Sequence, residues 1–155
     1  MMAGESGTGP RIVFAAVVAF CGKRTADGRT IVAPEGFRCP VRALPVPVFG
    51  WEEPRNAVQV GQINEAYVID NRITVFGHMS TGPVARTCAG RLSAGTHFLE
   101  IDMDHIQYET MNQSVTETGE VSADLQLVSW RLTSAFVGDR PCWDLPPVQI
   151  EELTR

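Results

Sequence analysis

The sequence has no C-x-x-C pair, no histidine at finger spacing from a cysteine, and no apolar run longer than ten residues. Its four cysteines, Cys21, Cys39, Cys88 and Cys142, are widely spaced. That spacing predicts free, mostly buried thiols rather than two disulfides, and no structural zinc. Basic clusters are missing too: 13 Lys and Arg stand against 18 Asp and Glu, a net charge of -5. Duplex binding driven by counterion release is therefore not expected. The one long apolar run, IVFAAVVAFC at 12–21, is about half a membrane span, and the segment MMAGESGTGP before it carries no positive charge. Neither a span nor an ordinary signal peptide is expected; the run reads as a buried strand behind a flexible tail at residues 1–10. No G-x-x-x-x-G-K-[ST] loop, G-x-S-x-G elbow, heptad or internal repeat occurs, and nothing in the pattern asks for a cofactor or a metal.

What is present points to one domain over residues 11–155, mainly β (α+β). The 155 residues suit a single core, and ten prolines with fourteen glycines cut the chain into short segments joined by turns. An Asp27-Gly28 turn predicts a hairpin returning through residues 30–32. Five prolines between 34 and 54 confine that stretch to an edge or an extended loop, with LPVPVF as an edge strand. Residues 57–70 read as a strand with a bulge at Gly61, returning after a turn at Asn71-Arg72 into residues 73–76. The best helix spans about residues 81–95, capped by Thr81, opened by Pro83 and stopped by Gly95; its interior Gly90 predicts close packing. Residues 96–110 follow as a strand with a phase slip near Asp104. A turn around Gly119, a strand at 123–137 and a proline-broken tail complete the chain, with Trp143, Leu145 and Val148 packing back on the body.

Three groups of side chains bear on chemistry. Glu100, Asp102 and Asp104 alternate along one strand; three carboxylates can hold a hard cation, but Ca²⁺ wants six or more oxygens, and a solvated outer face is the expectation. His97 and His105 flank this stripe and His78 ends the preceding hairpin. Ser80, Ser93 and Thr96 lie close to these histidines in sequence, so Ser93 or Thr96 with His78 or His97 are the candidates for a nucleophile and base. Trp51, in the proline-rich stretch, is the exposed-aromatic candidate for a contact surface.

In this order the elements resemble the head maturation (prohead) proteases of tailed bacteriophages, particularly those of actinobacteria. The segments that carry the resemblance are TADGRTI, RALPVPVF, AVQVGQINEAYVIDNRITVFGHM, GRLSAGTHFLEIDMDHIQYE and the late strand with its exit, LQLVSWRLTSAFVGDRPCWDLPPVQI, together about residues 11–150. The resemblance implies a herpesvirus-protease-like antiparallel β-barrel with one central helix. It also implies a catalytic histidine in the loop before the Val-Gly strand and a serine just before the Asp-x-Asp stretch. Here that loop is GWEEPRN, without histidine, and Glu100 stands at the serine position. Neither member of the pair is retained, so the catalytic set is expected to be empty.

The expectation is thus a structural phage protein, a minor capsid or decoration protein, derived from an inactive protease-like domain. It would bind the major capsid protein, form homo-oligomers on the capsid surface, contact neither nucleic acid nor membrane, and reside in the virion after assembly in the host cytoplasm. The contact residues expected are Trp51, Glu52, Glu53 and Arg55 with Glu100, Asp102 and Asp104. The alternatives are an active serine-type maturation protease with a rearranged pair, and a β-domain unrelated to phages that binds a partner or small ligand.

Overall fold

The computed structural model describes residues 11–23, 31–32, 44–53, 56–141 and 143–153. Residues 1–10, Arg55, Cys39, Cys142 and the turn at 25–29 lie outside the described residues. The chain is mainly β, with eight strands and one helix among those residues: β1 (Arg11–Phe20), β2 (Ile31–Val32), β3 (Val46–Glu53), β4 (Asn56–Ile69), β5 (Arg72–Met79), α1 (Pro83–Ser93), β6 (Phe98–Val115), β7 (Val121–Gly138) and β8 (Gln149–Leu153).

All eight strands belong to one sheet. From β3 through β4, β5 and β1 to β8 every pairing is antiparallel. β7 is the hub of the other half. One side pairs antiparallel with β6 from Phe98–Gly138 to Val115–Val121. The opposite side is shared by two parallel partners, β2 at Leu125–Gln126 and β3 at Ala135–Phe136. β6 comes near β1, but both edges of β1 are taken by β5 and β8, and no ladder joins the outer strands β6 and β8 among the described residues. The expected closure into a barrel is not seen there.

The apolar run of β1 is buried as its composition demands. Phe14, Ala16 and Val18 point into the core with Val48, Val60, Ile63, Val75, Leu99, Trp130 and Leu132. Burying each large aliphatic side chain of this set contributes about 1.5–3 kcal/mol. α1 closes this core, lying against β3, β4, β5 and β8 through Ala85, Cys88, Ala89 and Leu92. Its contact with β3 is close because position 50 is glycine: a Cβ there would lie 2.5 Å from the Cys88 sulfur. Trp143, Leu145 and Val148 are buried as expected, with the Trp143 indole N–H donating to the Lys23 carbonyl at 3.2 Å.

Several expectations need correction. β3 is no edge strand, since it pairs with both β4 and β7; its parallel ladder to β7 starts at Val48, past Pro45 and Pro47, so neither proline faces that ladder. Trp51 lies inside β3 rather than in a loop. β2 pairs with β7 and not with β1, because β5 and β8 occupy both edges of β1. The helix starts one residue later than Thr81 suggested, with Gly82 at the N-cap and φ of 120°, and no side chain caps it. Gly90 faces open space, so close packing does not explain it. The β4–β5 turn sits at Asp70 and Asn71, both with positive φ, one residue earlier than expected. The β4 bulge falls beside Gly61, where the β3 register skips Val60. Gly61 itself lets β5 approach: a Cβ there would lie 2.5 Å from the His78 carbonyl oxygen. The register shift after Asp104 is present as the phase slip required.

Candidate functional site

Three candidates chosen from the sequence for unrelated reasons, Trp51, His97 and Glu100, line one cleft of about 370 Å³. It opens where the end of β3, the last turns of α1, the start of β6 and the end of β7 converge. Cys88 and Arg91 come from the helix, and Phe136, Asp139 and Arg140 from the end of β7. Trp51 is 46% exposed and offers an indole face at the rim.

The end of α1 places His97. The Arg91 carbonyl accepts from the backbone N–H groups of Thr96 and His97 at 3.3 and 3.4 Å, and from the Thr96 hydroxyl at 3.2 Å. The same hydroxyl oxygen lies 3.0 Å from His97 Nδ1. The hydroxyl proton has two acceptors within reach: the Arg91 carbonyl, in which case Nδ1–H donates to the hydroxyl oxygen, and a neutral Nδ1; the imidazole tautomer selects between them. Only donation to Nδ1 is the polarity a general base needs.

Glu100 turns back over Gly138. Its Oε2 accepts the Arg140 backbone N–H at 3.1 Å, and any Cβ at position 138 would run into that carboxylate. Burial holds the Glu100 carboxyl above its ordinary range; the Arg140 N–H opposes this, Asp139 and Asp102 add to it, and His97 opposes it. Cys88 is buried, and that burial raises its thiol pKa despite Arg91 and the Trp51 N–H, which favour the thiolate. A buried, protonated thiol is a poor nucleophile.

The remainder of the acidic stripe faces solvent, with Asp102 exposed and the Asp104 side chain 41% exposed, and is held by hydrogen bonds to β7. Asp102 accepts from the Ser134 hydroxyl at 3.1 Å, and Asp104 takes a two-pronged hydrogen bond from Arg131 at 2.7 and 2.6 Å. Both carboxylates are thus engaged by neighbours on β7. No group of three or more His, Cys, Asp or Glu suited to a metal occurs among the described residues.

The other candidates lie elsewhere. Ser93 is exposed at the last turn of α1. His78 lines a separate cleft of about 630 Å³ between β8, β1, β5 and β4, with Arg11, Glu65, Phe76 and Glu151. Its Nδ1 donates to Asn64 Oδ1 at 3.0 Å, and burial, then the Arg11 charge, lower its pKa. The structure therefore does not bring His78 to Ser93 or Thr96. Glu52 and Glu53 end β3, with side chains outside the described residues, and Arg55 lies outside them altogether. Sequence reasoning missed Cys88, Arg91, Asp139 and Arg140. The one available signal was the Gly-Asp-Arg that ends the last long strand, where a glycine admits the Glu100 carboxylate. Among the described residues no helix is long and apolar enough to cross a membrane. Comparison with protein-family models, curated proteins and solved structures found no match to this chain.

Proposed function

We propose that this chain is a proteolytically inactive relative of the phage prohead proteases, serving as a minor capsid or decoration protein bound to the major capsid protein. The observation that carries this reading is Glu100, which stands where the resemblance puts the nucleophilic serine and is turned back onto the Arg140 N–H; a carboxylate cannot serve as the hydroxyl nucleophile. Two features agree with it. The Thr96 hydroxyl is tied to the Arg91 carbonyl at the helix end, and β3, in which Trp51 lies, leads into the histidine-free loop where the resemblance puts the catalytic histidine. The one sheet with a single helix over one end also suits a herpesvirus-protease-like barrel opened between β6 and β8. The protein would reside in the virion, after assembly in the host cytoplasm, and would form homo-oligomers on the shell.

Quantitative mass spectrometry of purified mature particles tests the reading: many copies per particle are expected, and absence from the particle overturns it. The active-protease alternative rests on the 3.0 Å contact between Thr96 and His97. Co-expression with the major capsid protein decides between the two. Uncleaved capsid protein is expected; cleavage abolished by Thr96→Ala, Ser93→Ala, His97→Ala or His78→Ala would establish the protease instead.

A further inference from the structure

Among the described residues, the distal half of the β6–β7 ribbon has a sheet edge without a ladder partner. β7 is occupied on one side by β6 and on the other by β2 and β3, whereas the outer edge of β6 has no ladder partner among the described residues. Natural edge strands are guarded by proline, by bulges or by charge, lysine above all. β6 contains no Pro, Gly, Lys or Arg over its 18 residues; its register shifts fall between Asp104 and Tyr108 and between Met111 and Ser114, and leave Tyr108–Met111 in regular register. Its first half carries Glu100, Asp102 and Asp104, all engaged by β7 or its exit. From Ile106 to Val115 the only carboxylate is Glu109, and Ile106, Tyr108 and Val115 are 37%, 44% and 65% exposed.

Charge selects the occupant. Between Leu92 and Trp130 the chain has seven carboxylates and no Lys or Arg, while the rest of it carries 13 basic residues against 11 acidic ones. The whole negative excess of the protein therefore lies on this ribbon. A second copy docked edge to edge would oppose two ribbons of the same sign. A Lys- or Arg-rich strand would gain both the open backbone groups and the field.

We infer that β6 between Ile106 and Val115 is a strand-addition site for a basic extended segment of a partner protein. This inference deepens the capsid reading by naming how the partner is held. Its test uses the full chain, a fluorescent synthetic peptide alternating Arg and Val, and a counterpart with Glu in place of Arg. The Arg peptide is expected to bind, to weaken by about tenfold as NaCl rises from about 50 to 300 mM, and to protect the amides of residues 106–115 from exchange. The Glu peptide is expected not to bind. Glu109→Lys combined with Glu117→Lys, both at exposed positions, should lower affinity about tenfold, and Glu120→Lys provides a second, independent charge reversal. Equal binding of both peptides, protection confined to the cleft at Trp51 and Glu100, or indifference to the charge reversals would overturn the site. So would a dimer in sedimentation that strengthens with salt and is lost in Tyr108→Lys, which would assign the edge to a second copy. Virion composition tests the capsid reading separately, so failure of the one does not imply failure of the other.

Discussion

β6 and β7 run side by side for most of their 18 residues each, yet their two ends have opposite surroundings. At the proximal end Leu99, Ala135 and Val137 are at most 4% exposed, and the ladder is backed by β3. At the distal end Val115 and Val121 face each other across the ladder at 65% and 63% exposure. Pairing alone is the same in both places. What differs is the cover on the faces, and a two-stranded ribbon without cover is marginal in water. The cover does not stop at the register shifts after Asp104, which the Arg131–Asp104 pair spans: on β7 Trp130 and Leu127 are still 2% exposed and β2 pairs at Leu125 and Gln126. The proximal part is framework, and only the tip towards Val115 and Val121 is an arm held out from it.

The sharpest way to break this contrast is a pair of truncations. Leu99→Ala should cost about 2–5 kcal/mol in urea unfolding, whereas Val121→Ala should stay within about 0.5 kcal/mol. Equal costs would mean that the arm is packed as tightly as the core. Next in size is Gly50→Ala, whose new Cβ meets the Cys88 sulfur at 2.5 Å. Shifting α1 away from β3 should cost about 1–3 kcal/mol. Gly138→Ala should cost less, because the atom it meets is the movable end of Glu100, and Glu100→Ala should relieve it in a double-mutant cycle.

Smaller still is the loss of the junction. Asp104→Asn should leave the global unfolding midpoint nearly unchanged while exchange protection falls beyond residue 104 on β6 and not before it. A drop over both halves would deny that the Arg131–Asp104 pair acts locally on the register shift it spans. The smallest effect is the pH response of Glu100. Its carboxyl is raised in the folded chain, so its contribution to stability is full below the ordinary value near 4.5 and is lost as pH rises through the folded value. Glu100→Gln should therefore flatten the stability profile above that point, by no more than about 0.5–1 kcal/mol for a carboxylate this exposed. A steeper profile in the variant would contradict the stated origin of the shift.

Strong local patterns made part of this legible in the sequence. The β4–β5 hairpin, the helix, the long strands of the ribbon and the slip at Asp104 follow from periodicity and turn residues, which act over a few positions. The partners of each strand do not. The parallel contacts of β7 with β2 and β3 join residues more than 80 positions apart. β8 was hidden because QIEEL has no apolar alternation of its own and is a strand only by pairing with β1. The cleft divides in the same way. Trp51, His97 and Glu100 were visible as unusual side chains, while Cys88 and Arg91 were ordinary helix residues until the helix was laid across β3. The hydroxyl and imidazole of Thr96 and His97 were visible as neighbours, but the Arg91 carbonyl that competes for the hydroxyl proton is supplied only by the folded helix end.

The β1–β8 ladder has a practical consequence. Arg11 stands directly opposite Leu153, so the two ends of the sheet leave from one place. A circularly permuted chain, bridging those residues by a short linker and opened at the Gly119 turn, would keep every ladder while moving its termini to the tip of the arm. The molecule could then be tethered from either pole, which lets a surface or a reporter be attached without obstructing the opposite end.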